Sequence, residues 1–478
     1  MPPTMSAQAM SMVDTATVTQ AYRFALDPTP SQARRLASFA GAARVAHNRM
    51  LAEVKATLTA RQLERRYLGG CLTQPQGWSL AALRRTWNAR KDVWAPWWTE
   101  VSKEAFNTGL AQLAAALKNW SDSRTGKRAG RPVGFPTFKS RHKLRPTVAF
   151  TTGTIRVEDD RRSVTLPRLG RIRTHENTRK LQRRLANATA RVLRATCTRD
   201  AAGRWHVSFS VEVTRQVGPP AHVKRRRQTV GVDLNCGDLV AATADGDEVL
   251  RVAAPRGLRD AQARLGRLQR KASRQTKGSG RQRTTAAAIG RTHARAANVR
   301  RDVLHKATTT LAQTYDTVVV EDLNVAGMTS KKSGLGARGR GFNRAILDTG
   351  MGTVRRMLDY KTAWYGSTLV VADRWFASSK TCSSCHSRKP RLGLDERSYT
   401  CDACATTLDR DLNAAINLAA LCCPSTPSGR EDANSGQREV GETDTAQAVD
   451  APLWDLSTPH QPDRLGQTRT ATRQQVAV

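Results

Sequence analysis

Residues 382–418 read CSSCHSRKPRLGLDERSYTCDACATTLDRDLNAAINL. Two Cys-x-x-Cys pairs, Cys382/Cys385 and Cys401/Cys404, are separated by 15 residues. Four thiolates at this spacing are the pattern of a tetrahedral zinc ribbon. They fill the coordination sphere, so one structural Zn²⁺ is expected, not a catalytic one. Ribbons of this kind usually have glycine after each second cysteine, where the turn favours positive φ. His386 and Ala405 stand there instead, which predicts a site formed under some strain; His386 is not expected as a fifth ligand. Just beyond, Leu412, Ala415, Ile416 and Leu418 predict a helix with one apolar face, with Asp411 near its start.

Two earlier acids end apolar runs: Asp233 in TVGVDLN (229–235) and Glu321 in VVVEDLN (318–324). An acid directly after a buried strand is costly unless it is paired or metal-bound. A sheet fixes the backbone at strand ends while the side chains meet at one edge. Asp233, Glu321 and Asp411 therefore read as catalytic ligands for two Mg²⁺ ions, the requirement of two-metal phosphodiester hydrolysis. Asp409 and Asp322 are expected to face elsewhere, and Asn413 is a candidate to support the acids. An Asp…Glu…Asp order with a zinc knuckle between the second and third acid points to a nuclease of the RuvC type.

The chain has 478 residues, with 78 Lys and Arg against 40 Asp and Glu, a formal net charge of +38. A polyanionic partner is the simplest reason for such an excess, because each neutralised phosphate releases counterions. Part of the charge is periodic. Arg256, Arg259, Arg264, Arg267, Arg270, Lys271 and Arg274 recur at about helical spacing, with Leu258, Leu265 and Leu268 on an apolar stripe. Almost no acid is present to pair with them. Arg264, Arg267, Arg270, Lys271 and Arg274 are the candidate phosphate contacts. Lys380, at the base of the ribbon, joins them. The five cysteines outside the ribbon show no disulfide framework, which suits a reducing compartment. No 18-residue apolar run predicts a membrane span, and the first residues lack the features of a signal peptide. The expected location is cytoplasmic, at the nucleoid.

Outside these motifs the patterns alternate. Residues 1–18 read as a leader and AYRFAL (21–26) as a strand. Thr29-Pro30-Ser31-Gln32 opens a helix with Thr29 as N-cap, and residues 31–125 are helical. Trp87, Trp94, Trp97 and Trp98 read there as packing core, with base stacking as the alternative. Residues 122–145 form a basic Gly/Pro-rich loop. RVLRATCTRD and RWHVSFSVEV make a hairpin turning near Asp200 to Gly203. QTVGVDLNCGDLVAATADG is a second hairpin. Residues 257–316 form two helices broken at Lys277–Gly280, 333–342 a Gly-rich loop, AILDTGMGTVRRMLDYKTAWYG one helix and STLVVADR a strand. This interleaving predicts an α/β sheet covered by helices. Residues 424–478 read as a disordered tail.

AYRFALDPTPSQARRLASFAGAARVAHNRML, GFPTFKSR, VGVDLN, RDVLHK, VVVEDLNVAGM, YKTAWYG, RWFASSKTCSSC and DRDLNAAINL occur in the order found in TnpB-type proteins. The chain resembles this family, the transposon-encoded RNA-guided DNA endonucleases related to type V CRISPR effectors and Fanzor proteins, over nearly all of residues 20–420. The resemblance implies an α/β RNase H-like RuvC domain (226–377 and 408–423) split by a zinc-ribbon insert (378–407). It also implies an N-terminal wedge β-barrel (19–30 and 126–225) interrupted by a helical recognition lobe (31–125). The implied partners are a guide RNA transcribed from the transposon end and a target double-stranded DNA. The family's catalytic acids fall on Asp233, Glu321 and Asp411. A transposase joining DNA ends usually orders its acids Asp, Asp, Glu. A non-catalytic RNA-guided DNA-binding regulator has no need of an intact triad. A miniature type V CRISPR effector shares the motifs.

Overall fold

A computed structural model describes residues 15–141, 145–220, 222–330, 336–393 and 396–422. The leader up to residue 14 and the tail 424–478 lie outside these residues. The first strand, β1 (Thr15–Asp27), begins earlier than AYRFAL and takes in the last residues assigned to the leader. Its length follows from its partner: Thr15 to Ala25 pair antiparallel with Gln216 to His206. Helix α1 (Pro30–Leu68) starts at the expected capping box. The Thr29 side chain accepts from the Gln32 amide at 3.3 Å, and Gln32 Oε1 accepts from the Thr29 amide at 3.0 Å.

Helices α2 (Leu80–Trp94) and α3 (Lys103–Arg124), with a 3₁₀ turn at Trp98–Glu100, complete the helical insert. Its aromatic cluster is packing core. Buried Trp87 lies 5.1 Å from Phe106 and 5.8 Å from Trp94 between ring centroids, and Trp97 lies 5.8 Å from Phe106. The chain then returns through β2 (Thr147–Phe150), β3 (Arg156–Val157), β4 (Ser163–Leu166), β5 (Gly170–Thr174), α4 (Arg179–Ala186), β6 (Ala190–Arg199) and β7 (Trp205–Gln216). The strand order is β2-β6-β7-β1-β5-β4-β3. This is an open row: among the described residues β2 does not pair with β3, so the implied barrel is not closed by hydrogen bonds. Trp205, Val207, Phe209, Val211 and Val213 of β7 are buried on one face, as their alternation predicts.

The second half begins with β8 (Arg226–Leu234), β9 (Asp238–Thr243) and β10 (Glu248–Ala253), followed by α5 (Gly257–Ser273) and α6 (Gly280–Thr314). Then come β11 (Tyr315–Glu321), α7 (Val325–Met328), α8 (Gly336–Thr349), α9 (Met351–Tyr365), β12 (Thr368–Ala372), β13 (Ser398–Thr400), β14 (Thr407–Asp409) and α10 (Arg410–Ala420). The five-stranded order is β10-β9-β8-β11-β12. Strands β8 to β10 form an antiparallel meander, while β11 runs parallel to both β8 and β12.

Each face has its own cover. Val230, Val232, Val318 and Val320 pack with Leu304, Leu311, Ile346, Val354 and Leu358. Val240 and Ala242 pack on the opposite face with Ala415 and Ile416 of α10, and Val319 with Leu418. The region expected as a Gly-rich loop is helical from Gly336. Its buried Ile346 belongs to the sheet's core, and buried Asp348 accepts from the Leu258 and Arg259 amides at the start of α5. These contacts override the glycines' low helix propensity. The single helix expected after the loop is two, broken at Gly350 with φ 77°. No helix among the described residues is long and apolar enough to cross a membrane.

Candidate active site and four-cysteine centre

Strand alternation aims two acids at α10. Val232 and Val320 point into the α6/α9 core, so the next residues, Asp233 and Glu321, point to the other face. The β8–β11 register pairs Val232 with Val320, which sets the acids level on adjacent parallel strands. Gly231 fixes the helix above them. A Cβ there would lie 2.0 Å from the Ala415 carbonyl oxygen and 2.4 Å from the Ala419 nitrogen, so the α10 backbone rests directly on β8. Asp411 is four residues, about one turn or 6 Å, before Ala415; Asp233 is two strand residues, about 7 Å, beyond Gly231. The two offsets bring Asp411 toward Asp233.

Electrostatics agree. Asp233 is 8% exposed, and its pKa is pushed up to about 8, first by burial and then by the charges of Glu321 and Asp411. Asp411 is raised by burial and by Asp409, with Arg397 and Arg410 opposing. Three oxygen donors that repel one another in a partly buried pocket suit a hard divalent cation.

The neighbouring acids have other duties. The Asp409 carboxylate caps α10, accepting from the Asp411 and Leu412 amides at 3.0 Å each. Asp322 pairs with Arg355 and Arg374. Asn413 does not support the acids. Its Oδ1 accepts from the Ser383 amide at 2.9 Å, and its Nδ2 donates to the Thr381 carbonyl at 2.8 Å. Two supporting residues escaped the sequence reading. Asn235 Nδ2 donates to Asp233 at 3.3 Å while its Oδ1 accepts from the Gly237 and Asp238 amides. The Ser378 hydroxyl donates to Glu321 Oε1. An acid-x-Asn spacing was the available signal for the first; nothing in sequence links Ser378 to Glu321.

The four cysteine sulfurs lie within 4.8 Å of one another, the only such group of His, Cys, Asp or Glu among the described residues. Cys382 and Cys404 are 3.7 Å apart and Cys385 and Cys401 3.5 Å, sulfur to sulfur. A tetrahedron with Zn–S bonds of about 2.3 Å has edges of about 3.8 Å, so the residues fit zinc. His386 and Ala405 adopt φ of 60° and 57°, the left-handed turns in which glycine is the easier residue.

Arg264, Arg267, Arg270, Lys271 and Arg274 are all exposed around α5, with Leu265 buried beneath. None of the five has an ion-pair partner among the described residues. Lys380 is half-buried, and its Nζ donates to the Pro390 carbonyl at 3.3 Å within the cysteine unit.

Three stretches match known families. Residues 208–332 match OrfB_IS605, "Probable transposase"; residues 352–418 match "Cas12f1-like, TNB domain"; residues 12–62 match an OrfB_IS605 "Helix-turn-helix domain". The described part of the last stretch folds as β1 and the unbroken α1, not as two helices. The "Putative RNA-guided DNA endonuclease Rv2885c" of Mycobacterium tuberculosis is 44% identical over 84% of this chain and 86% of its own length. A "Putative RNA-guided DNA endonuclease" of Streptomyces pristinaespiralis is 32% identical over 89% and 94%. The "Cryo-EM structure of the Cas12f1-sgRNA-target DNA complex" superposes with a TM-score of 0.44 at 12% identity, over 84% of this chain and 99% of that one.

Proposed function

The chain belongs to the OrfB (TnpB-type) family, and on that premise we propose that it is an RNA-guided DNA endonuclease of a transposable element. The observation that carries the reading is the convergence of Asp233, Glu321 and Asp411 under the head of α10. The antiparallel meander β10-β9-β8 continued by parallel β11 and β12 supports reading the sheet as an RNase H-like RuvC domain, with β13–β14 and the four cysteines as its ribbon insert. The names of the relatives supply the substrate class.

Asp233, Glu321 and Asp411 would hold two Mg²⁺ ions. When bound, Mg²⁺ supplies an activated water and charge stabilisation for the leaving oxygen. Asn235 keeps the Asp233 carboxylate turned. Cys382, Cys385, Cys401 and Cys404 would hold one structural Zn²⁺. The exposed face of α5 would contact phosphates of the guide RNA or its heteroduplex with target DNA, through charge and shape and not through base identity. Mutating Asp233→Ala tests the assignment: guided DNA cleavage should disappear with RNA binding retained. Loss of RNA binding would make Asp233 structural.

A further inference from the structure

Helix α10 does two jobs, on two different sides. Asp411 leaves α10 toward the other acids, while Asn413 and Asn417, one turn apart, grip the segment between β12 and the first cysteine. Asn417 is buried, and its Nδ2 donates to the Ser378 carbonyl at 2.8 Å and the Thr381 carbonyl at 2.7 Å. Asn413, fully buried, donates to the same Thr381 carbonyl and accepts from the Ser383 amide. The segment therefore has its backbone fixed at Ser378, Thr381 and Ser383, on both sides of Cys382. Ser378 itself is 2% exposed, and its hydroxyl is spent on Glu321 Oε1.

We infer that Ser378 is a positioning residue for Glu321, set in place by Asn417. A glutamate at a strand end has three side-chain torsions, and an ion between carboxylates tolerates little wandering. Holding Oε1 would leave Oε2 as the oxygen available to ligate an ion. The same clamp makes α10 the common reference for Asp411 and Glu321, so the two acids move together. It also places the four-cysteine unit in series with the active site, because Cys382 lies inside the gripped segment. The Ser378 hydroxyl bonds to the carboxylate itself.

The inference rests on the catalytic reading of Glu321, and the test separates the two. Wild type, Ser378→Ala and Ser378→Thr are purified with guide RNA. Mn²⁺ affinity is read by electron paramagnetic resonance, alongside cleavage, RNA retention and zinc content. Loss of a hydrogen bond that orients a metal ligand typically costs about 10–100-fold in metal affinity or activity. Ser378→Ala should weaken Mn²⁺ binding and slow cleavage by that range with zinc and RNA unchanged. Ser378→Thr, which keeps the hydroxyl, should recover much of the loss. Wild-type Mn²⁺ affinity and cleavage in Ser378→Ala would overturn the inference, as would parallel loss of zinc and RNA, which marks a structural role. A wild type that binds Mn²⁺ but does not cut guided DNA would sink the functional reading, while the Mn²⁺ affinities would still decide the role of Ser378.

Discussion

Replacing Gly231 with alanine adds one methyl group at the place where α10 touches the sheet. That carbon would lie 2.0 Å from the Ala415 oxygen, 2.4 Å from the Ala419 nitrogen and 2.8 Å from the Leu418 Cβ. Real Cβ contacts stay at 3.0 Å or more, so a retreat of about 1 Å is needed. Two of the three obstacles are backbone atoms, which cannot rotate aside, so the helix itself must move. Overpacking of this kind costs about 1–3 kcal/mol. Asp411, one turn from Ala415, travels with the helix, and a displacement near 1 Å in a catalytic group costs on the order of 100-fold in rate. The expected phenotype is a lower melting temperature and guided cleavage slowed about 100-fold, with guide RNA still bound. Gly266→Ala on α5 is the control. Its Cβ meets only the end of the Arg270 side chain at 3.6 Å, so stability should hold or rise by about 0.5–1 kcal/mol. Wild-type melting and cleavage in Gly231→Ala would refute the packing account of how Asp411 is placed.

Purified protein should contain one zinc per chain by elemental analysis, and Cys382→Ser should remove it; Ala405→Gly, relieving a left-handed φ, should raise the melting temperature by an amount equivalent to about 1 kcal/mol, and no change would mean that the turn is unstrained. His47 is 2% exposed, and burial, then Lys139, lowers its pKa from 6.5 to about 4. The unfolded chain therefore takes up this proton first, so the contribution is intact above pH 6.5 and is lost as pH falls toward 4, by at most about 3 kcal/mol. Denaturation midpoints at pH 7 and 4.5 should diverge less in His47→Leu than in wild type; equal divergence would exclude His47 as a source. Arg264, Arg267 and Arg270 changed together to Gln should weaken RNA binding and flatten its dependence on log salt concentration by about two to three units, and an unchanged slope would remove α5 from the interface.

Much of this was legible because local chemistry left local marks. Acids after valine runs, paired cysteines and a Thr-Pro-x-Gln start all act within a few residues, and each stands where its pattern indicates. What could not be read depends on distant partners. The glycines after residue 335 look like a loop until Ile346 and Asp348 find the sheet and α5. Gly231 looks like an ordinary strand residue until α10 lies on it. Asn413 looked like support for the acids because it is near Asp411 in sequence, yet helical geometry turns it toward the cysteine segment. Among the described residues the strands of the implied barrel form the row β2-β6-β7-β1-β5-β4-β3, an order that depends on pairings between distant segments.

The central claim is tested most directly by expressing the gene with its native flanking DNA, sequencing the RNA that co-purifies with the protein, and offering that complex a matching DNA target with Mg²⁺. The account predicts a discrete RNA ending in sequence from beside the gene, and cutting of the matched target that stops on chelation of Mg²⁺ or in Asp233→Ala. RNA of no defined sequence, or a discrete RNA with no cutting of any matched target, would contradict it.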